Sequence, residues 1–442
     1  MSLVLALGAI LLMPFAVAGL GLIHAGLGRS RSAAHALLAT MCALAVAAIV
    51  FVMVGEAWAG FAGGASHTFM LVGARWDWLG AEPLLARGVR FDGGGGAAGA
   101  SALTANLAKG TVLCFEMFAV GIAAVIPVGA GADRWRLTAM MASSALLAGI
   151  TWPLFAHWVW GGGLLAKLGA GAGVGFGLGA GFVDGGGSGT IQAVGGLTAL
   201  AVAWILGARK GKYAGDGVAT AIPGHNIGLV LAGCLVALVG WLGVNAAGAM
   251  LFYGVGPVRL PGIVVNTTLG AAAAALTALG VTRLRFGKPD ASLIANGWVA
   301  GLAAGSAGCA FVAPGAAVAI GVVAGVLVVF AVEFFELKLL LDDPGGTISV
   351  HGVAGIWGVM AVGLFAGTVP GTRGAQVLAQ AVGVAMLVGL VLPLTFALNW
   401  ALDRVTPQRV DRDGEWQGMD VRELGAGAYP EFVVHSDEFV PR

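Results

Sequence analysis

The sequence predicts an all-α integral membrane protein of eleven transmembrane helices: two inverted five-helix repeats plus one extra C-terminal helix, with the N-terminus outside and the C-terminus inside. Three observations predict it. Hydrophobic residues make up 58% of the 442 and charged residues only 10%, against a soluble norm of about 25% charged, so a bilayer is the expected solvent. Apolar stretches of membrane-crossing length recur along the chain. Finally, the segment around Asp184 is echoed 159 residues later around Asp343.

Apolar spans fall near 3–26, 33–61, 108–130, 137–160, 187–208, 223–249, 260–282, 291–313, 315–337, 346–367 and 374–402. The first is too long for a signal-peptide core and reads as a retained helix. An odd number puts the termini on opposite sides, and the basic residues choose which. With the N-terminus outside, sixteen of the 23 Lys and Arg face inward, among them Arg29, Arg134, Arg209, Arg285 and Arg404. The repeats occupy about 1–210 and 220–370, the last helix 374–402, and together they form a membrane domain over 1–402. A charged cytoplasmic tail follows over 403–442, and Gly-rich external segments lie around 75–107 and 168–182. Glycine, at 76 residues, falls mostly within the spans, where it lets helix backbones approach closely. A formal charge of +1 argues against a nucleic-acid partner. The four cysteines are widely spaced in apolar runs and suggest packing rather than a disulfide or metal framework.

In the echo Asp184 pairs with Asp343, Gly186 with Gly345, Ser188 with Thr347, Gly196 with Gly355, and Gln192 with His351. Five spans separate the copies, so their helices run in opposite directions, a transporter signature that places the substrate path at the repeat interface. Gln192 and His351 are expected to meet there, each about two turns from its helix-opening Asp. Two aspartates opening helices on opposite membrane faces cannot form a hydrolytic dyad, so no enzyme is expected.

Several motifs together resemble the Amt/Mep/Rh ammonium transporter family, the Amt branch in particular: AHWVWGGGLLA at 156–166, GWLGVNAAG at 240–248, VVNTTLGAAAAAL at 264–276, DDPGGTISVHGVAGIWG at 342–358 and GMDVRELGAGAY at 418–429. GADRWRL at 131–137 is a weaker match. The resemblance implies a homotrimer in the cell membrane, each monomer enclosing one narrow apolar pore, with ammonium or ammonia as the substrate and no cofactor or metal. It also admits a PII-type signalling protein as a partner on the cytoplasmic face. By position, Trp160 matches the aromatic of the external site, Asp184 the aspartate beneath it, Trp241 and Asn245 the sixth-helix motif, and His351 the second pore histidine. Phe118 resembles one phenylalanine of the external gate, while Phe115 and Glu116 in CFEMFA align only across a one-residue gap.

This sequence also departs from the family pattern. Gln192 stands where the first pore histidine is expected, Val244 where a second gating phenylalanine usually sits, and Gly248 where a serine often helps hold the cation. Gly346 replaces a common acidic residue, and His24 replaces a usual tyrosine. An aromatic cage substitutes ring faces for the water of a dehydrated ammonium, at roughly 0.5 to 2 kcal/mol per contact; the bland alternative makes Trp158 and Trp160 interfacial anchors. Glutamine donates and accepts hydrogen bonds but carries no proton at accessible pH, so Gln192 lines a pore without relaying. His24 reads equally as a packed residue or as a second titratable group at the cytosolic mouth. Glu56 and Glu116 are acids at membrane depth, either functional or carried as snorkelling or protonated carboxyls. The expected function is ammonium capture near Trp160 and Phe118, loss of a proton, and passage of ammonia past Gln192 and His351. The rival expectation is a poorly conducting ammonium receptor on the same scaffold.

Overall fold

The computed structural model describes residues 2–71, 74–91, 100–169, 176–215, 217–367 and 369–429. The Gly-rich run at 92–99, part of the 168–182 segment and the end of the tail, with His435, lie outside the described residues. Ten helical stretches among those described are long and apolar enough to cross a membrane, from Ser2–Leu27 to Arg373–Val405. Ala291–Gly305 is apolar but has only 15 residues, about 22 Å of helix against a hydrocarbon core of about 30 Å; it lies where the eighth crossing is expected.

Several spans carry a break with a local cause. The first stops at Ile10 and restarts at Pro14, whose missing N–H is harmless at a helix start. Tight turns at Leu12 and Met13 keep the carbonyls of Ala9 and Ile10 bonded. No regular structure is expected from the sequence in the loop after the second span. It holds an antiparallel pair, β1 (Ser66–Leu71) and β2 (Ala74–Gly80), with an irregularity between His67 and Thr68.

Glycine sets the closest helix contacts. A Cβ on Gly240 would lie 2.0 Å from the Ala16 backbone nitrogen, and one on Gly19 would lie 2.5 Å from that of Ala237, so the first span and Ile227–Tyr253 meet backbone to backbone. The two echo segments meet the same way. A Cβ on Gly196 would lie 2.1 Å from the Gly352 nitrogen, and one on its counterpart Gly355 would lie 2.6 Å from the Ser188 carbonyl.

At the Asp343 end of the bundle, charges tie the loops together. Arg209 donates from Nε and Nη2 to the two Asp342 oxygens at 2.8 and 3.0 Å, and from Nη1 to Asp133 at 2.9 Å. Arg134, fully buried, donates to the Asp342 and Gly207 carbonyls, each at 2.7 Å. The described part of the tail closes over this layer. Asp420 accepts from the Ala34 and His35 backbone N–H groups at a helix start, where a carboxylate is favoured. Arg409 donates to the Leu206 and Ala208 carbonyls and pairs with Glu415 at 2.8 Å. Trp135 donates from its indole to Gln408.

Candidate functional site: an amide and an imidazole beneath an aromatic stack

The echo aspartates play the same local part. Asp184 Oδ2 accepts from the Gly189 and Thr190 backbone N–H groups at 3.0 and 2.7 Å and from the Thr190 hydroxyl at 2.8 Å. Asp343 accepts from the Ile348 N–H at 2.7 Å and the Thr347 hydroxyl at 3.1 Å. Each therefore takes up orphan donors at a helix start. Burial pushes the Asp343 carboxyl up to about 6 even against those hydrogen bonds. Both helices open with a π-helical turn, Ser188–Ala193 and Ile348–Val353. Such turns occur often at functional sites.

These turns bring Gln192 and His351 together. Nδ1 of His351 lies 2.7 Å from Gln192 Oε1, so the imidazole donates and the amide oxygen accepts; both residues are buried. Gln192 Nε2 has no protein partner. Trp241 covers the imidazole, with centroids 6.4 Å apart and planes at 26°. One turn along, Asn245 donates to the Thr267 hydroxyl at 2.8 Å and sets its Oδ1 against Gly186.

At the Asp184 end the aromatic group differs from the expected one. The Trp160 indole N–H donates to the Asp184 carbonyl at 3.0 Å. Its ring stacks on Phe252, with centroids 4.5 Å apart and planes at 2°. Phe115 meets Trp160 and Phe252 edge-on at 5.6 and 5.3 Å, and Trp152 meets Trp160 at 6.1 Å. Phe118 is partly buried against the hydrophobic core and belongs to none of these ring pairs; Phe115, the residue left without a secure alignment, does. Phe252 was absent from the candidates. It lies two turns beyond Val244 on the same helix, where no motif points to it. Val244 itself is fully buried. Rings 4.5 Å apart leave no room for a cation between them, so the covered indole face becomes available only when Phe252 turns aside. Gly248 has a packing reason to lack a hydroxyl, since a Cβ there would lie 2.3 Å from the Gly185 carbonyl and 3.3 Å from Phe115.

Of the two speculative residues, Glu116 is buried with Oε2 unpartnered, as are both oxygens of buried Glu56. His24 is buried beside Gly129, toward the Asp343 end of the bundle, with Nδ1 unpartnered.

Comparison with known proteins agrees with this architecture along nearly the whole chain. The Ammonium Transporter Family model matches residues 3–429. The chain is 34% identical to ammonium transporter Amt2 of Archaeoglobus fulgidus over 97% of this chain and 88% of that protein. It is 30% identical to the ammonium transporter of Bacillus subtilis over 93% and 94%. Among solved structures it resembles a Sensor Amt Protein, with TM-score 0.82, 28% identity, and 96% and 98% of the two chains covered. The fold is also that of Candida albicans Mep2, with TM-score 0.77 at 24% identity over 98% of this chain and 90% of that one. Members of this family are multi-pass membrane channels rather than enzymes, and the chain belongs to the ammonium transporter family.

Proposed function

We propose that the protein moves ammonia across the membrane. Ammonium is captured at the Trp160 end, releases its proton to the water on that side, and crosses as the neutral amine past Gln192 and His351. The N-terminus and the Trp160 stack lie outside, the Arg209–Asp342 layer lies inside, and the eleven helices form two inverted repeats plus one. The single observation that carries this reading is the 2.7 Å contact of Gln192 with His351, which joins the two echo segments deep in the bundle. A neutral amide and imidazole in apolar surroundings suit a neutral polar passenger and penalise a bare cation. Phe252 acts as the outer cover and Trp160 as the ring face that ammonium reaches beneath it.

A proton travelling separately from the amine needs consecutive groups that exchange protons, and the amide at 192 interrupts them. Reconstituted protein is therefore expected to carry ammonia into liposomes, followed with an internal pH dye. Ammonium pulses on a supported membrane should give a transient binding charge without sustained current, and Gln192→His should raise the sustained component. A sustained ammonium-dependent current in the unaltered protein sinks the interrupted relay. Binding without any flux in either form favours the second reading, a receptor, which the likeness to a Sensor Amt Protein and the closed Trp160–Phe252 stack keep in view.

The assembly proposed is a homotrimer with one pore in each monomer, and a PII-type protein is proposed to dock on the inner face. Light scattering in detergent is expected to return the trimer mass; a monomer as the sole stable species would remove the claim. Pull-down of a purified PII-type protein by the reconstituted transporter checks the docking, and no retention removes it.

A further inference from the structure

A cavity of about 380 Å³ lies at the Asp184 end of the bundle, lined by Ala180, Val183, Tyr253, Arg259, Phe311 and Pro370 among others. That volume falls within the range of about 300 to 1,000 Å³ that holds small molecules. None of the residues of the Trp160 stack lines it, so it is a separate space from the one assigned to ammonium.

Its walls are held in place from three sides. Gln380 accepts from the Val183 N–H at 2.8 Å and donates to the Val183 carbonyl at 2.9 Å. The Tyr253 hydroxyl accepts from the Asp184 N–H at 2.7 Å. The Asn266 amide donates to the Cys309 and Val312 carbonyls at 3.0 and 2.9 Å, which pins the segment that carries Phe311. Tyr253 and Phe311 meet edge-on, with centroids 5.6 Å apart, and both pack against two small apolar clusters, one around Ile263 and Cys309 and one around Val183 and Val362. A wall fixed in this way loses little freedom when a ligand settles against it.

The sign of the charge at the cavity is set by Arg259, an exposed residue whose Nη1 donates to the Ala310 carbonyl at 3.4 Å. A guanidinium keeps its charge at every accessible pH and carries five N–H donors. Two helix ends adjoin it and offset each other, the negative end of Ile227–Tyr253 and the positive end of Leu260–Phe286. The opposing side chain is Asp184, whose Oδ2 is taken up by the Gly189 and Thr190 N–H groups. The guanidinium, which lines the cavity itself, therefore prevails. An inorganic anion would satisfy it but leave the two rings and the valine in contact with water; an anion with an apolar body covers them as well.

We propose that this cavity is a binding site for a small organic anion, with the charged head on Arg259 and the apolar body against Tyr253, Phe311 and Val183. The site goes beyond the transport reading and does not depend on it.

The test titrates the protein in phosphatidylcholine nanodiscs by calorimetry, against empty nanodiscs, with benzenesulfonate and with the neutral benzenesulfonamide. The native protein is expected to bind the sulfonate at least ten-fold more tightly than the sulfonamide. Arg259→Ala should weaken sulfonate binding about ten-fold, the effect of hydrogen bonding to a charged group, and Arg259→Lys should fall between. Ala180→Leu, which sets three further carbons in the cavity, should abolish binding. Absence of sulfonate binding by the native protein, equal binding of the two compounds, or native affinity in Arg259→Ala overturns the site. If Arg259→Ala does not assemble, native affinity in Ala180→Leu overturns it instead. With phosphatidylglycerol added to the nanodisc, an unchanged sulfonate affinity assigns the site to a free organic anion, and a lost one assigns it to the phosphate of a lipid headgroup.

Discussion

Replacing Asp342 with alanine is expected to destabilise the protein by about 3 to 5 kcal/mol, because it leaves two buried guanidinium groups, Arg134 and Arg209, without the carboxylate they share. Arg209 is nearly fully buried and makes two of its three side-chain ion contacts to Asp342. Arg134 lies 3.9 Å from the same carboxylate and would be left with backbone carbonyls. Burial by itself would raise the Asp342 carboxyl, but Arg134 and Arg209 hold it well below the usual carboxylate range. A carboxyl depressed in the folded state contributes stability above its unfolded value of about 3.9, and the contribution is lost as pH falls through the folded value. The native protein and Asp342→Ala should therefore differ most near neutrality and converge in strong acid. Melting of the detergent-solubilised proteins across pH checks this; equal midpoints at pH 7 would mean that the network carries no net stability. Asp342→Asn keeps the volume and is expected to fall between the two.

Gly196→Ala is expected to be severe where Gly352→Ala is mild, although the two glycines face each other. The added methyl at Gly196 would sit 2.1 Å from the Gly352 nitrogen and 2.7 Å from the His351 carbonyl carbon, both backbone atoms that move only if the two helices separate. Overpacking of this kind costs about 1 to 3 kcal/mol, and the separation draws His351 away from Gln192. A methyl at Gly352 meets nothing closer than 3.5 Å, an ordinary contact. Ammonia flux should be largely lost in the first variant and near native in the second, with thermal melting ordered the same way. Equal flux in both would show that the crossing tolerates more room than its backbone contacts imply.

How much of this was legible in the sequence differs from element to element. The pairing of Gln192 with His351 is legible because a repeat relation carries positional information across 159 residues, and an ionisable group in an apolar run marks itself. Asp184 and Asp343 were legible for a similar reason: a carboxylate just before a helix has few other uses than capping it. Phe252 was invisible. A phenylalanine at an apolar helix end is indistinguishable from any lipid-facing residue until a partner ring is placed against it, and its partner, Trp160, lies on another span. The choice between Phe115 and Phe118 is open because residues three apart lie on one face of a helix, and a one-residue uncertainty in alignment leaves Phe115 without a match. The β1–β2 pair is not legible because its two runs, Ser66–Leu71 and Ala74–Gly80, are short and sit between long apolar spans that dominate the hydropathy of the region. The docking of the tail was missed because its charges read as solvated until Asp420 is seen at a helix start and Arg409 at exposed carbonyls.

The π-helical turns at Ser188–Ala193 and Ile348–Val353 can be viewed as a matter of counting residues. The Gly187 carbonyl accepts from both Ile191 and Gln192, at 2.9 Å each, so the helix holds one residue more in that turn than an α-helix would. Deleting a single residue from that turn would restore α geometry and leave the flanks of the helix close to their present orientation, whereas the widened turn and the places of the residues within it, Gln192 among them, would be lost. Gln192 would then no longer be set where it meets His351. The Gln192–His351 contact thus depends on a surplus residue in each of the two helices, and a chain that lost one of them would keep its length and hydropathy while losing that contact.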